Sequence, residues 1–331
     1  MSKLKLTLAC GSYDRTRALQ DGTVHPEGIE LNYLPMKPGE TFWRMLNNSE
    51  FDLSEMSLSY YTILRSRGDE RFIAIPVFTS RIFRHSGIYI NSRSGIKTPE
   101  DLKGKRIGVG DYQMTAAVWV RGLLQDDYQV HPRDMQWVVG KAVQDIDLPA
   151  ELSITSAEPG RSLEEMLEQG ELDALVSVMI PRALRQRSTE VRRLFPDYRE
   201  VEAEYYRRTG IFPIMHTVVL KTELYDAHPW TAISLYKAFL QAKERCDSAL
   251  YNTDALSVSL PWLIEDIENT RDLMGIDYWD YSVSGSLPTL AALTRYLYEQ
   301  GLTQIQMTPE DLFASNIRDD LNDYLRGTGE L

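Results

Sequence analysis

Directly after the N-terminus, polar Lys3, Lys5 and Thr7 alternate with apolar Leu4, Leu6 and Leu8, and the run closes on Ala9 and Cys10. A period of two predicts a half-buried strand. A polar turn from Gly11 to Arg17 leads into a short helical stretch, and Ile29, Leu31 and Tyr33 alternate as a second strand. Residues 41–46 suit a helix, 51–53 a short buried strand, and 57–61 open a helix stopped by Gly68. The run Phe72 to Phe78 reads as a strand whose Pro76 marks an edge or a strand end. Strands and helices that alternate over short connections favour α/β layers.

Near residue 88 the pattern restarts. Gly87 to Asn91 predicts a strand, and Thr98, Pro99, Glu100 and Asp101 make a capped helix start, with proline first and acids over the positive end. Residues 106–110 predict a strand and 114–124 a helix. Ser162 and Glu165 have capping-box spacing, Gly170 stops that helix, and 172–176 follow as a strand. Only residues 140–160 look loosely structured, and no internal repeat is present. Residues 212–220 are β-rich, and Ile233, Tyr236, Phe239 and Leu240 mark one face of a long helix. The remainder to Leu331, including a helix start at Thr308 to Asp311, is expected to be mostly helical.

Composition narrows the class. With 331 residues, 43% hydrophobic and 25% charged, the chain is neither disordered, collagenous nor a disulfide scaffold. No run approaches the ~18 apolar residues of a membrane helix. A net charge of −12 repels nucleic acid and anionic membranes, so neither is an expected partner. A small anion would need basic residues gathered locally. Cys10 and Cys246 read as thiols in a reducing compartment. The N-terminal run alternates where a secretory signal would be continuously apolar, so a cytoplasmic protein is expected. Walker, Gly-x-Gly-x-x-Gly, His-Glu-x-x-His and Cys-x-x-Cys patterns are all missing, and no cofactor is expected.

The order of motifs carries a resemblance. Gly95-Ile96-Lys97-Thr98-Pro99-Glu100-Asp101-Leu102 through Val109, and Gly170-Glu171-Leu172-Asp173-Ala174, resemble the second lobe of type II periplasmic binding proteins. A closer resemblance, to the 4,5-dihydroxyphthalate decarboxylase family, runs through Ala9-Cys10-Gly11-Ser12-Tyr13-Asp14-Arg15, Phe51-Asp52-Leu53-Ser54-Glu55, and Ile75-Pro76-Val77 on to Arg84-His85-Ser86. It continues through Tyr112-Gln113-Met114-Thr115-Ala116, Val191-Arg192-Arg193-Leu194-Phe195-Pro196 and Thr209-Gly210-Ile211-Phe212-Pro213 to Val219. The stretch around Val178 to Arg182 keeps only a Pro-Arg pair with atypical flanks. The resemblance implies an α/β, two-lobe fold with a ligand cleft between the lobes: residues 1–88 and 217–331 in lobe one, 89–216 inserted as lobe two.

It also implies loss of CO2 from an aromatic diacid with two adjacent hydroxyls, giving 3,4-dihydroxybenzoate. A bare aryl carbanion is too unstable, so the ring carbon must be protonated before or during C–C cleavage. A deprotonated hydroxyl para to it supplies the electrons. The site then needs a base, an acid and cations for carboxylates. His85 and His216 are the acid–base candidates, since imidazole titrates near neutral pH; the plain alternative is a pair of structural histidines. Asp14 and Glu55 could accept from hydroxyls or orient a histidine, and Asp14 equally suits a helix N-cap. Arg15, Arg81 and Arg84 are the expected carboxylate partners, with Arg17 weaker and Arg182 a second-lobe clamp. Tyr112, Gln113 and Thr115 surround a helix N-terminus, a ready anion site. His85, His216 and an acid leave a metal open, though no compact ligand motif is present. The expected partner is a small aromatic dicarboxylate, with a homo-oligomer left open. The rival reading is a non-catalytic small-carboxylate-binding protein; a third is a lyase for another hydroxylated aromatic acid.

Overall fold

The computed structural model describes residues 2–141 and 148–317. Part of the expected loose stretch (142–147) and of the expected helical tail (318–331) lies outside the described residues. The strands are β1 (Leu4–Cys10), β2 (Ile29–Pro35), β3 (Leu53–Ser57), β4 (Phe72–Arg81), β5 (Ile88–Asn91) and β6 (Arg106–Asp111). They continue with β7 (Gln136–Lys141), β8 (Ser153–Ser156), β9 (Ala174–Val176), β10 (Val191–Arg193) and β11 (Ile214–Lys221). Two sheets result, ordered β2-β1-β3-β11-β4 and β10-β5-β9-β6-β7-β8, with helices between strands as the α/β pattern requires.

In the first sheet β1 runs parallel to β2 and β3, while β11 is antiparallel to β3 and β4. β3 is buried at all five positions, and Leu8, Leu53, Met56, Ile75 and Val218 are fully buried around it. Each such side chain contributes about 1.5–3 kcal/mol of burial free energy. Pro76 has the consequence its chemistry demands. It has no N–H to give, β4 lies at the edge of the sheet, and the ladder with β11 breaks beside it. Val218 stands opposite Ile75, but His216, two residues back, stands opposite Ser80, so residues 76–79 bulge out of register.

In the second sheet β6 is parallel to β9 and β7, β7 is parallel to β8, and β5 is antiparallel to β9 and β10. The Thr98 capping box forms, but it opens only a 3-10 turn, Pro99–Leu102. Ser162 caps the helix Leu163–Gln169, and Gly170 ends it with φ 82°. β7, β10 and the helix Tyr198–Thr209 were not expected; the two strands are short or lightly patterned, and the helix is predominantly polar.

The chain divides into two compact units whose edges differ from the expected ones. Among the described residues the first holds 2–81, 214–290 and 308–317; the second holds 82–141, 148–213 and 291–307. Residues 82–88 leave the expected first lobe because β4 ends at Arg81, and the Ile82 amide then bonds the Pro213 carbonyl. Residues 214–216 leave the expected insert because they already pair in β11 with β3 and β4. Residues 291–307 join the second unit through the helix Thr115–Tyr128: Gln300 bonds Arg121 and the Val118 carbonyl, and Arg295 pairs with Asp126.

Candidate active site

A carboxylate in the middle of a fully buried strand requires donors on every side, and Glu55 of β3 has them. In the β3–β11 register His216 stands opposite Ser57, two residues from Glu55, so Glu55 and His216 are diagonal neighbours on one face. His216 Nδ1 lies 2.6 Å from Glu55 Oε1. The same oxygen accepts from the Tyr13 hydroxyl at 2.5 Å and from Thr79 Oγ1 at 3.0 Å. Oε2 accepts from the Gly11 amide at 2.9 Å, and the Cys10 thiol lies 3.7 Å away.

Local sequence explains this convergence. β1 runs parallel to β3 with Ala9 opposite Ser54, so its carboxyl end delivers Cys10 and Gly11 to Glu55. Parallel strands present ligand sites at that end. A Cβ on Gly11 would lie 2.8 Å from the Tyr13 ring, so only glycine lets Tyr13 fold back to reach the carboxylate. The bulge after Pro76 turns Thr79 toward Glu55 and releases two carbonyls from the ladder. Trp279 donates to that of Phe78, and Arg15 to that of Thr79. The Phe42 ring packs edge-on against His216 at 4.9 Å and fixes its tilt.

The electrostatics follow. Burial works to raise the Glu55 pKa, but His216, Tyr13 and the Gly11 amide outweigh it and hold the carboxyl at about 2. Burial, reinforced by Glu55, keeps both Tyr13 and the Cys10 thiol protonated. Because Glu55 is an ionised acceptor, Nδ1 of His216 is the nitrogen that donates to it, and in the neutral ring that tautomer places the lone pair on Nε2. The His216 side chain is 19% exposed, whereas Glu55 is fully buried. The group is a carboxylate-oriented histidine with one basic nitrogen to offer.

Arg15 adjoins it. Its guanidinium lies 4.5 Å from the Tyr13 ring and 4.0 Å from that of Trp279, and pairs with Asp14 at 2.9 Å. Its field lowers the pKa of both Cys10 and Tyr13, against burial. Asp14 is half-exposed and holds Arg15; it does not cap the turn, where Tyr13 is the N-cap.

The other expected residues make contacts of their own. Arg81 ends β4, buried, and donates to the Asp280 carbonyl at 3.1 Å. His85, Arg84, Tyr112, Gln113, Thr115 and Arg182 belong to the second unit. Arg84 is buried, which brings its pKa down to about 10 against the pull of Tyr89 and Glu202. His85 is 1% exposed between the rings of Phe195 and Tyr205. Tyr112 is a core residue, with the Arg121 guanidinium 3.8 Å from its ring, and Gln113 and Thr115 are buried at the start of the helix Thr115–Tyr128. Arg182 is exposed, its amide bonded to Glu164. Among the described residues no set of three or more His, Cys, Asp or Glu groups is placed to hold a metal.

The sequence reading named Glu55 and His216 but gave Tyr13, Thr79 and Trp279 no role. Thr79 follows a strand proline, and Tyr13 lies two residues after a glycine at a strand end; those were the available signals.

Comparison with known proteins places these residues in a family context. Over 320 residues the chain is 38% identical to the 4,5-dihydroxyphthalate decarboxylase of Comamonas testosteroni, covering 95% of this chain and 97% of that one. It is also 38% identical over 214 residues to the enzyme of that name from Pseudomonas putida, covering 62% of this chain and 83% of that one. Residues 16–146 match the family described as ABC transporter, phosphonate, periplasmic substrate-binding protein. A periplasmic sulfonate-binding protein of Methylobacillus flagellatus has the same fold, with TM-score 0.59 and 14% identity over 99% of this chain and 96% of that one.

Proposed function

The chain belongs to the 4,5-dihydroxyphthalate decarboxylase family and is a carboxy-lyase; from that premise we propose that it acts on 4,5-dihydroxyphthalate, or a closely related hydroxylated aromatic carboxylate, with His216 as the general base. The observation that carries this reading is the 2.6 Å contact between Glu55 and His216 Nδ1, which leaves Nε2 as a proton acceptor.

In the proposed sequence Nε2 takes the proton of the hydroxyl para to the carboxylate-bearing carbon. The phenolate pushes an electron pair into the ring, and that carbon accepts a proton that comes from solvent. The C–C bond then breaks, its electron pair restores the aromatic ring as the phenolate, CO2 leaves, and the imidazolium returns its proton to the phenolate oxygen. The net change is one proton for one carboxylate, with no oxidant or reductant. Glu55 stabilises the imidazolium formed in the first step and is a positioning residue. Arg15 supplies positive potential for the dianion in a chain of net charge −12.

Incubating the pure protein with 4,5-dihydroxyphthalate and measuring CO2 and 3,4-dihydroxybenzoate tests the substrate. Equimolar formation of both supports it. Binding without product would favour a carboxylate-binding role for this scaffold, and turnover of a different hydroxylated acid would move the substrate within the class.

A further inference from the structure

A cavity of about 590 Å³ is lined wholly by residues of the second unit, none of which has a part in the proposed decarboxylation. One face of the helix Tyr198–Thr209 lines it with Glu200, Glu204 and Arg208, spaced one turn apart, and with Tyr205 beside them. The end of the helix Thr115–Tyr128 adds Asp126, Asp127 and Tyr128. The wall therefore carries four carboxylates against a single guanidinium. Asp126 is met by Arg295, Asp127 by Arg208 at 2.7 Å, and Glu204 by Arg207 at 3.2 Å. Glu200 has no ion pair among the described residues. With the other three paired, Glu200 is the wall carboxylate left to meet a cation.

His85 is the second, independent observation. It forms part of the cavity wall, is 99% buried, and neither ring nitrogen has a hydrogen-bond partner. A buried imidazole without a partner marks a place where a ligand donor is missing. Burial, assisted by Arg208, lowers its pKa to about 4, so at neutral pH the ring carries a lone pair and not a charge.

We propose that this cavity binds a small organic cation, a primary ammonium on an apolar body. The ammonium donates to His85 and is balanced by Glu200, with Glu204 one turn away in an exposed pair with Arg207. The apolar body lies against Tyr128 and Tyr205, whose rings also favour a cation.

The test uses the whole chain with 15N-labelled histidine, five residues in all, the His85 signals being assigned by their loss in a His85→Phe variant. Benzylamine is the probe; benzyl alcohol has the same body without the charge. Benzylamine at millimolar concentration should shift the His85 ring signals saturably, and benzyl alcohol should bind about tenfold more weakly. A Glu200→Gln/Glu204→Gln variant should lose about three- to tenfold in benzylamine affinity with turnover unchanged. Equal binding of the alcohol, a benzylamine affinity unchanged in the double variant, or no movement of the His85 signals would each overturn the proposal.

Discussion

At the residue scale, Glu55 shows how burial converts a carboxylate into an organiser. It is fully buried yet ionised because Tyr13, Thr79, Gly11 and His216 all donate to it, and each donor is thereby fixed in place. Replacing His216 by Gln should lower kcat by about 10²–10⁴-fold with a much smaller change in KM, since a proton acceptor is removed and uniform binding is not. Steady-state kinetics on the folded variant checks this. Glu55→Gln removes the counter-charge of the imidazolium but not the base itself. Its kcat should fall by about 10²-fold or more, and the acid limb of its pH profile should move to lower pH; a purely structural role would leave that limb in place. His85 makes a separate, acid-side prediction. Its folded pKa of about 4 lies below the ordinary 6.5, so the unfolded chain takes up the proton first. The stability it contributes is complete above pH 6.5 and is lost as pH falls toward 4. The shift corresponds to about 3 kcal/mol. Urea denaturation at pH 7 and pH 4 should therefore show a smaller acid loss in His85→Phe than in the wild type. Glu55 acts lower, between 4.5 and about 2, so the two windows separate.

At the element scale, the bulge in β4 does the positioning. Pro76 interrupts the ladder with β11, and the slack carries Thr79 to Glu55 while Arg15 and Trp279 bond the released carbonyls. Thr79→Val keeps the shape but leaves one Glu55 donor unmade, at a cost of about 1–3 kcal/mol by thermal or urea denaturation. In the second unit, Gly122 lets the ring of Tyr296 lie against the helix Thr115–Tyr128, for a Cβ there would sit 2.3 Å from that ring. Gly122→Ala should therefore destabilise by about 1–3 kcal/mol despite alanine's better helix propensity. Calorimetry reads it directly. Strands with clean alternation, such as Leu4–Cys10, and helices with caps, such as Leu163–Gln169, were legible from residue order alone. Short β10 and the polar helix Tyr198–Thr209 were not, because tertiary contacts decide them. Pro76 was legible as an edge signal, but the direction in which its bulge aims Thr79 is set by pairing with β11, where Thr217 bonds Ile75 across 142 residues of chain, beyond any local window.

At the scale of the whole molecule, the sequence placed the α/β class and the restart of the strand pattern, and it named Glu55 and His216 separately among about a dozen candidates. It could not sort them. Sorting requires knowing that His216 shares a sheet face with Glu55, whereas His85 faces an acid-lined cavity in the other unit. The destination of residues 291–307 was equally hidden, since an amphipathic helix shows a buried face but not its partner. No described helix is long and apolar enough to cross a membrane. With a net charge of −12, a dianionic substrate is attracted only by local cations, so Arg15→Ala should raise KM for a dicarboxylate more than for a monocarboxylate, and more steeply at low salt. The central claim is that His216, oriented by Glu55, takes the substrate's proton. Its most direct test is single-turnover conversion of 4,5-dihydroxyphthalate by wild type and His216→Gln at saturating substrate, with CO2 and 3,4-dihydroxybenzoate both measured. The account expects equimolar products from the wild type, and from the variant retained binding with a rate about 10²–10⁴-fold lower. A variant that binds and turns over at the wild-type rate would contradict it.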